Sequence, residues 1–74
     1  MNIDINDLLT LNDNKEYVVV SKANYEGSNY YYLIDKDSPE NVMFCYEDGN
    51  ELVEIEDKDL TAKIIPLLLE PIQI

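Results

Sequence analysis

The sequence predicts an α+β fold: a five-stranded antiparallel, meander-like, curled β-sheet followed by a C-terminal α-helix. Three observations predict it. Runs of β-branched and aromatic residues recur at short, regular spacing, each bounded by a turn cluster. The stretch Asn41 to Glu56, NVMFCYEDGNELVEIE, reads as one hairpin, with Asp48-Gly49 between two strand-forming runs. Beyond Glu56 the apolar repeat changes from alternation to helical spacing. At 74 residues the chain, residues 1–74, is a single small acidic domain.

Asn2 to Asn6 reads as a frayed start or a short turn. Asp7 to Leu11 reads as a short first strand, with a helix capped at Asp4 or Asn6 as the alternative. Asn12-Asp13-Asn14-Lys15 is a turn cluster. Glu16 to Asn24 is the clearest strand, led by Tyr17-Val18-Val19-Val20, and should pair with the first as a hairpin. Tyr25 to Asn29 is the next turn, with Gly27 free to take any φ. Tyr30 to Asp35 is the third strand, and Pro39 ends any ladder after it. Val42 to Tyr46 and Leu52 to Ile55 are the fourth and fifth, joined by a turn of type I′ at Asp48-Gly49.

Tyr17 and Val19 alternate with Val18 and Val20, and Tyr31 and Leu33 with Tyr30, Tyr32 and Ile34, so both faces of the sheet carry apolar groups. A sheet with one wet face would alternate more cleanly. The sheet therefore curls towards a barrel, or a helix covers one face, or a second copy of the chain does. Asp57 caps a helix start, and Leu60, Ile64, Leu67 and Leu68 form one stripe. Pro66 lies inside that stripe, so the helix should kink or stop near Ile65. Ile72-Gln73-Ile74 is an apolar tail able to dock on a sheet edge.

Composition narrows the function more by absence than by presence. There is no His, Arg or Trp, and sixteen acids stand against five lysines, for a formal charge of −11. Without His there is no usual general base near neutral pH and no imidazole metal ligand. Without Arg there is no bidentate phosphate clamp. Direct nucleic-acid binding and an anionic membrane surface are both disfavoured, because each needs clustered cations. A basic protein partner, reached by electrostatic steering, is favoured. Cys45, the single cysteine, sits in an apolar strand as a buried thiol, and a cytoplasmic protein is expected. Met1-Asn2-Ile3-Asp4 lacks the basic start of a signal peptide. A homodimer is one way to add burial to so small a core.

No cofactor or metal site is expected, and no enzyme. Asp35-Lys36-Asp37 begins like an EF-hand loop, but Glu40 replaces the glycine and Tyr46 the final glutamate. The acids lie on turns, where they form no paired carboxylates in a cleft. They are instead concentrated. Glu47, Asp48, Glu51, Glu54, Glu56, Asp57 and Asp59 fall close together, opposed only by Lys58. Glu54 and Glu56, if both on a strand, would share a face roughly 6.7 Å apart, close to the spacing of successive phosphates. Such a surface could occupy a groove built for DNA or RNA. Tyr30, Tyr31 and Tyr32 cannot all be core on one face, so at least one should be partly exposed as an anchor beside the acids.

The order of segments, Leu9 to Val20, then Tyr25-Glu26-Gly27, then Tyr30 to Ile34, and on through Glu51 to Asp57 and the final helix, resembles small acidic domain-of-unknown-function proteins of Gram-positive bacteria and their mobile elements. That resemblance implies a β-sheet followed by a helix, and carries no catalytic motif. In composition alone the chain is also similar to phage anti-CRISPR proteins, which are commonly short, acidic and Arg-poor. Some of those inhibit by mimicking nucleic acid. The resulting expectation is a non-enzymatic inhibitor presenting an acidic, nucleic-acid-mimicking surface to a basic nucleic-acid-binding protein. The alternative is a small adaptor or structural module whose acids only keep it soluble.

Overall fold

Hairpin-forming turns set the architecture of the computed structural model, which describes residues 2–70. Five strands follow in chain order: β1 (Leu8–Thr10), β2 (Glu16–Tyr25), β3 (Ser28–Asp35), β4 (Val42–Asp48) and β5 (Glu51–Glu54). Each pairs antiparallel with its sequence neighbours, in the order β1-β2-β3-β4-β5. The sheet curls into a half-barrel, and a single helix, α1 (Lys58–Leu69), follows it. The expected helical alternative for residues 7–11 is not adopted: Val19 N–H donates to Asp7 C=O at 2.9 Å and ties the segment to β2. The apolar tail from Ile72 lies outside the described residues.

The tight turns use glycine where the backbone requires it. Between β2 and β3, Glu26 and Gly27 have φ of 52° and 82°. Positive φ at both central residues is the type I′ pattern, whose twist matches that of the strands. Between β4 and β5 the register pairs Asp48 with Glu51, so Gly49-Asn50 and not Asp48-Gly49 is central. Gly49 has a φ of 62° while Asn50 stays out of the left-handed region, which corresponds to type II′.

One face of the sheet closes over Val19, Leu33 and Cys45, all fully buried, with Tyr17, Tyr31 and Ile3 around them. Curling and the N-terminal Ile3 cover this inner face. The other face meets α1, whose Ile64 and Leu68 are fully buried against Tyr30. Tyr25, Tyr32, Phe44, Tyr46 and Ile55 pack round that contact. Of the three ways to cover a two-faced apolar sheet, the fold thus uses both curling and a helix.

A β-bulge in β2 lets both faces work. Val19 pairs with Leu33 and Ser21 with Tyr32, leaving Val20 as the extra residue. Alternation reverses there. Lys22 is sent to the inner face, where its Nζ reaches Asp4 Oδ1 at 3.0 Å and Ile3 C=O at 3.3 Å. Ser21 and Ala23 go under the helix. Ser21 Oγ is buried there without a hydrogen-bond partner.

The helix begins as expected, with Asp57 Oδ1 accepting from the N–H groups of Asp59 (2.9 Å) and Leu60 (3.3 Å). It does not stop near Ile65. It runs through Pro66 to Leu69, with Glu70 N–H still donating to Pro66 C=O at 3.0 Å. Pro66 and Ala62, whose carbonyl loses its donor, are both exposed, so water can replace the missing bond. Ile64 and Leu68, buried on either side of Pro66, hold the last turn against the sheet.

Pro66→Ala restores that hydrogen bond at an exposed site and should raise stability by up to about 3 kcal/mol in urea unfolding. Glu26→Asn should raise it by roughly 0.5–1 kcal/mol, because asparagine tolerates the left-handed backbone that glutamate resists. A loss of stability in either variant would mean that the turn or helix end is held differently.

Candidate acidic interface along the sheet edge

The acidic residues come together because β5 is an edge strand. Among the described residues it pairs with β4 alone, and its two ends lead into the Asp48–Glu51 turn and the link to α1. Asp48 and Glu51 are cross-strand partners at the turn, and both are exposed. Glu54 closes the strand opposite Cys45. Glu56 and Asp57 occupy the link, and Asp59 lies in the first turn of α1, after Lys58. Among the described residues the ion pairs are Lys22–Asp4 at 3.0 Å and Lys36–Glu16 at 3.8 Å, so none of these acids is neutralised by a lysine. Like charges left so close together raise the local negative potential along the edge.

Two details differ from the sequence expectation. β5 ends at Glu54 and Glu56 lies beyond it, so the two-residue strand repeat does not set their spacing. Glu47, expected among the interface acids, lies opposite Leu52. It is half-buried on the inner face, where Tyr31 Oη donates to its Oε1 at 2.8 Å. Glu47 is therefore tied to the core more than to the edge.

Of the three tyrosines in a row, Tyr32 is the one that is partly exposed, as the expectation of at least one requires. Tyr30 and Tyr31 are 7% and 3% exposed, although they point to opposite faces, because both faces are covered. Neither can anchor a partner. Tyr32 is half-buried and stacks on Phe44, with ring centroids 4.9 Å apart. The tyrosine beside the acids is Tyr46, which sequence reasoning did not select. With Val53, Ile55 and Leu60 it lines a shallow hollow of about 360 Å³, rimmed by Glu54, Glu56 and Asp57. The hairpin register, which sets Tyr46 opposite Val53, was the signal for it.

Elsewhere the polar groups serve the fold. Asp35 is buried at the end of β3, and its Oδ1 accepts from the N–H groups of Asp37 (2.9 Å) and Ser38 (3.2 Å). That carboxylate builds the following turn. Among the described residues no group of three or more His, Cys, Asp or Glu side chains is placed to hold a metal ion. No helix among them is long and apolar enough to cross a membrane.

Three interior groups hold their protons tightly. The Asp13 carboxylate, which accepts the Tyr17 hydroxyl at 2.9 Å, and burial raise Tyr17 to about 12. The backbone N–H of Lys15, above all, keeps Asp13 below the usual carboxylate value. Burial, then the bond to Glu47, raises Tyr31 to about 12. Burial, helped by the charge of Glu54, raises the Cys45 thiol to about 12. A thiol so protonated and so enclosed is not a nucleophile at neutral pH.

On unfolding, these groups return towards ordinary values of 9.0 for the thiol and 10.0 for the tyrosines. The unfolded chain then binds fewer protons at alkaline pH. Their contribution to stability is complete below the ordinary values and is lost as pH climbs towards about 12. Urea unfolding at stepped pH should show stability declining from about pH 9 and more steeply past about pH 10. Tyr17→Phe should flatten the steeper part, and an unchanged slope would show that Tyr17 titrates alike in both states.

Comparison of the chain with protein-family models, with curated proteins and with solved structures found no match, so the reading of this edge rests on its own geometry and charge.

Proposed function

We propose that the protein is a non-enzymatic inhibitor that offers its acidic β5 edge, in place of nucleic acid, to a basic nucleic-acid-binding protein. One observation carries the reading: the carboxylates from Asp48 to Asp59 follow the β5 edge and the link into α1, and among the described residues no lysine is paired to any of them. Such an edge repels nucleic acid and draws a cationic groove towards it. The hollow at Tyr46 adds a contact of the right kind. Its apolar floor suits the aliphatic stem of a lysine or arginine, and its acidic rim suits the charged head. A phage protein directed against a host defence nuclease would fit this description.

A second reading is favoured by a different surface. Leu8, Val18, Ile34 and Val42 pair in succession across β1 to β4, on the sheet face that carries the helix. This aliphatic row lies outside the helix contact, with Leu8 49% and Val42 46% exposed. An adaptor would bind through this row, and its acids would serve solubility.

Capture of partners from lysate, with and without nuclease and eluted by rising salt, separates the two. The inhibitor reading expects a nucleic-acid-binding protein retained after nuclease treatment and released by moderate salt. Reversing Glu51, Glu54 and Glu56 to lysine should weaken that binding at least about tenfold and reduce its salt dependence. Binding that ignores nuclease, survives high salt and fails on Leu8→Ser or Val42→Ser would replace it with the adaptor reading.

A further inference from the structure

The open side of β5 has a definite pattern of backbone groups. Ile55 N–H donates to Phe44 C=O at 3.0 Å, which makes that pair, and by alternation Tyr46–Val53 and Asp48–Glu51, the hydrogen-bonded pairs of the ladder. The N–H and C=O groups of Leu52 and Glu54 therefore point away from β4, towards the open edge. Across from them lies β1, the other edge of the curled sheet. The two edges line one groove of about 390 Å³, in which Leu52, Leu9, Leu11 and Ile3 supply apolar surface. An edge with outward backbone groups beside an apolar groove is a template for another strand.

The side chains indicate which strand. Along β5 the order is Glu51, Leu52, Val53, Glu54: acid, apolar, apolar, acid. A second copy of β5 added in antiparallel register would set Glu51 against Glu54 twice, and like charges directly opposite are destabilising. The complementary sequence is cation, apolar, apolar, cation, and it reads the same in either strand direction. We propose that β5 binds an extended segment of this pattern from a basic partner as a sixth strand. The apolar side chain opposite Leu52 enters the groove, and lysine or arginine faces Glu51 and Glu54. This inference rests on the acidic edge as the contact surface and adds the mode of binding.

The probe is a capped hexapeptide, Thr-Lys-Val-Val-Lys-Thr, added to the full chain while amide hydrogen exchange is followed residue by residue. With peptide at about ten times its dissociation constant, exchange at Leu52 and Glu54 should slow about tenfold. Val53 and Ile55, whose N–H groups already face β4, should change little. A Gly-Lys-Gly-Gly-Lys-Gly peptide has the same charge and little strand preference, and it should protect neither amide. Glu54→Pro deletes one outward donor without touching the β4 ladder and should abolish the protection, whereas Glu54→Gln, which removes the charge alone, should only weaken it. Equal effects of both peptides, or binding without amide protection, would overturn the added strand while leaving the acidic edge as an electrostatic contact. Binding of neither cationic peptide would overturn both. Protection of Leu52 and Glu54 before any peptide is added would show that the edge is already occupied and would also overturn the proposal.

Discussion

One extra residue in β2 decides what each face of the sheet can be. Without the bulge at Val20, alternation would carry Lys22 and Asn24 under the helix and Ser21 and Ala23 to the inner face. An ammonium group would then be buried against Ile64 and Leu68 with no carboxylate in reach, a severe penalty. With the bulge, Lys22 emerges beside Asp4 and pins the N-terminal segment that brings Ile3 to the inner core. The same bulge strengthens the local twist, and a strongly twisted sheet curls. Helix docking and N-terminal closure both use the faces set by that one register shift.

The acidic edge is a second constraint, and it acts in two directions. Edge strands invite pairing with other chains, and charges placed along them are a common safeguard. Glu51 and Glu54 set like charges against a second copy of β5, and under the proposal above the same two charges would favour a cationic strand. Solubility and selectivity are thus aspects of one charge pattern, and the choice between partners lies in the sign of the side chains opposite.

Much of the fold was legible because strand formers and turn residues agree locally. Tyr17 to Val20, Tyr30 to Ile34 and Val42 to Tyr46 each appear as strands near the expected limits. The turn at Gly49 and the Asp57 cap were equally plain. The rest depends on tertiary context. No local signal marks Val20 as a bulge, since Val18, Val19 and Val20 are alike. Pro66 reads as a helix stop until Ile64 and Leu68 are seen holding the turn around it. Which of Tyr30, Tyr31 and Tyr32 is the partly exposed one is decided by the helix and the curl, which bury the first two. At the candidate site, charge clustering was visible in the chain. The edge position of β5, the capture of Glu47 by Tyr31 and the hollow at Tyr46 required the register.

The strand order also governs how the chain finds its structure. Every strand pairing joins neighbours in sequence, and the β2–β3 and β4–β5 turns each have two central residues, so the sheet assembles through short loop closures. The helix is different. It follows β5 but packs on β2 and β3, and Ile64 meets Tyr30 across more than thirty residues of chain. That closure, like the one that brings Ile3 into the inner core beside Cys45, costs more loop entropy than any hairpin of the sheet. The sheet is thus built from local pairings, and the helix is joined to it by distant ones, so the same chain combines fast-closing and slow-closing contacts.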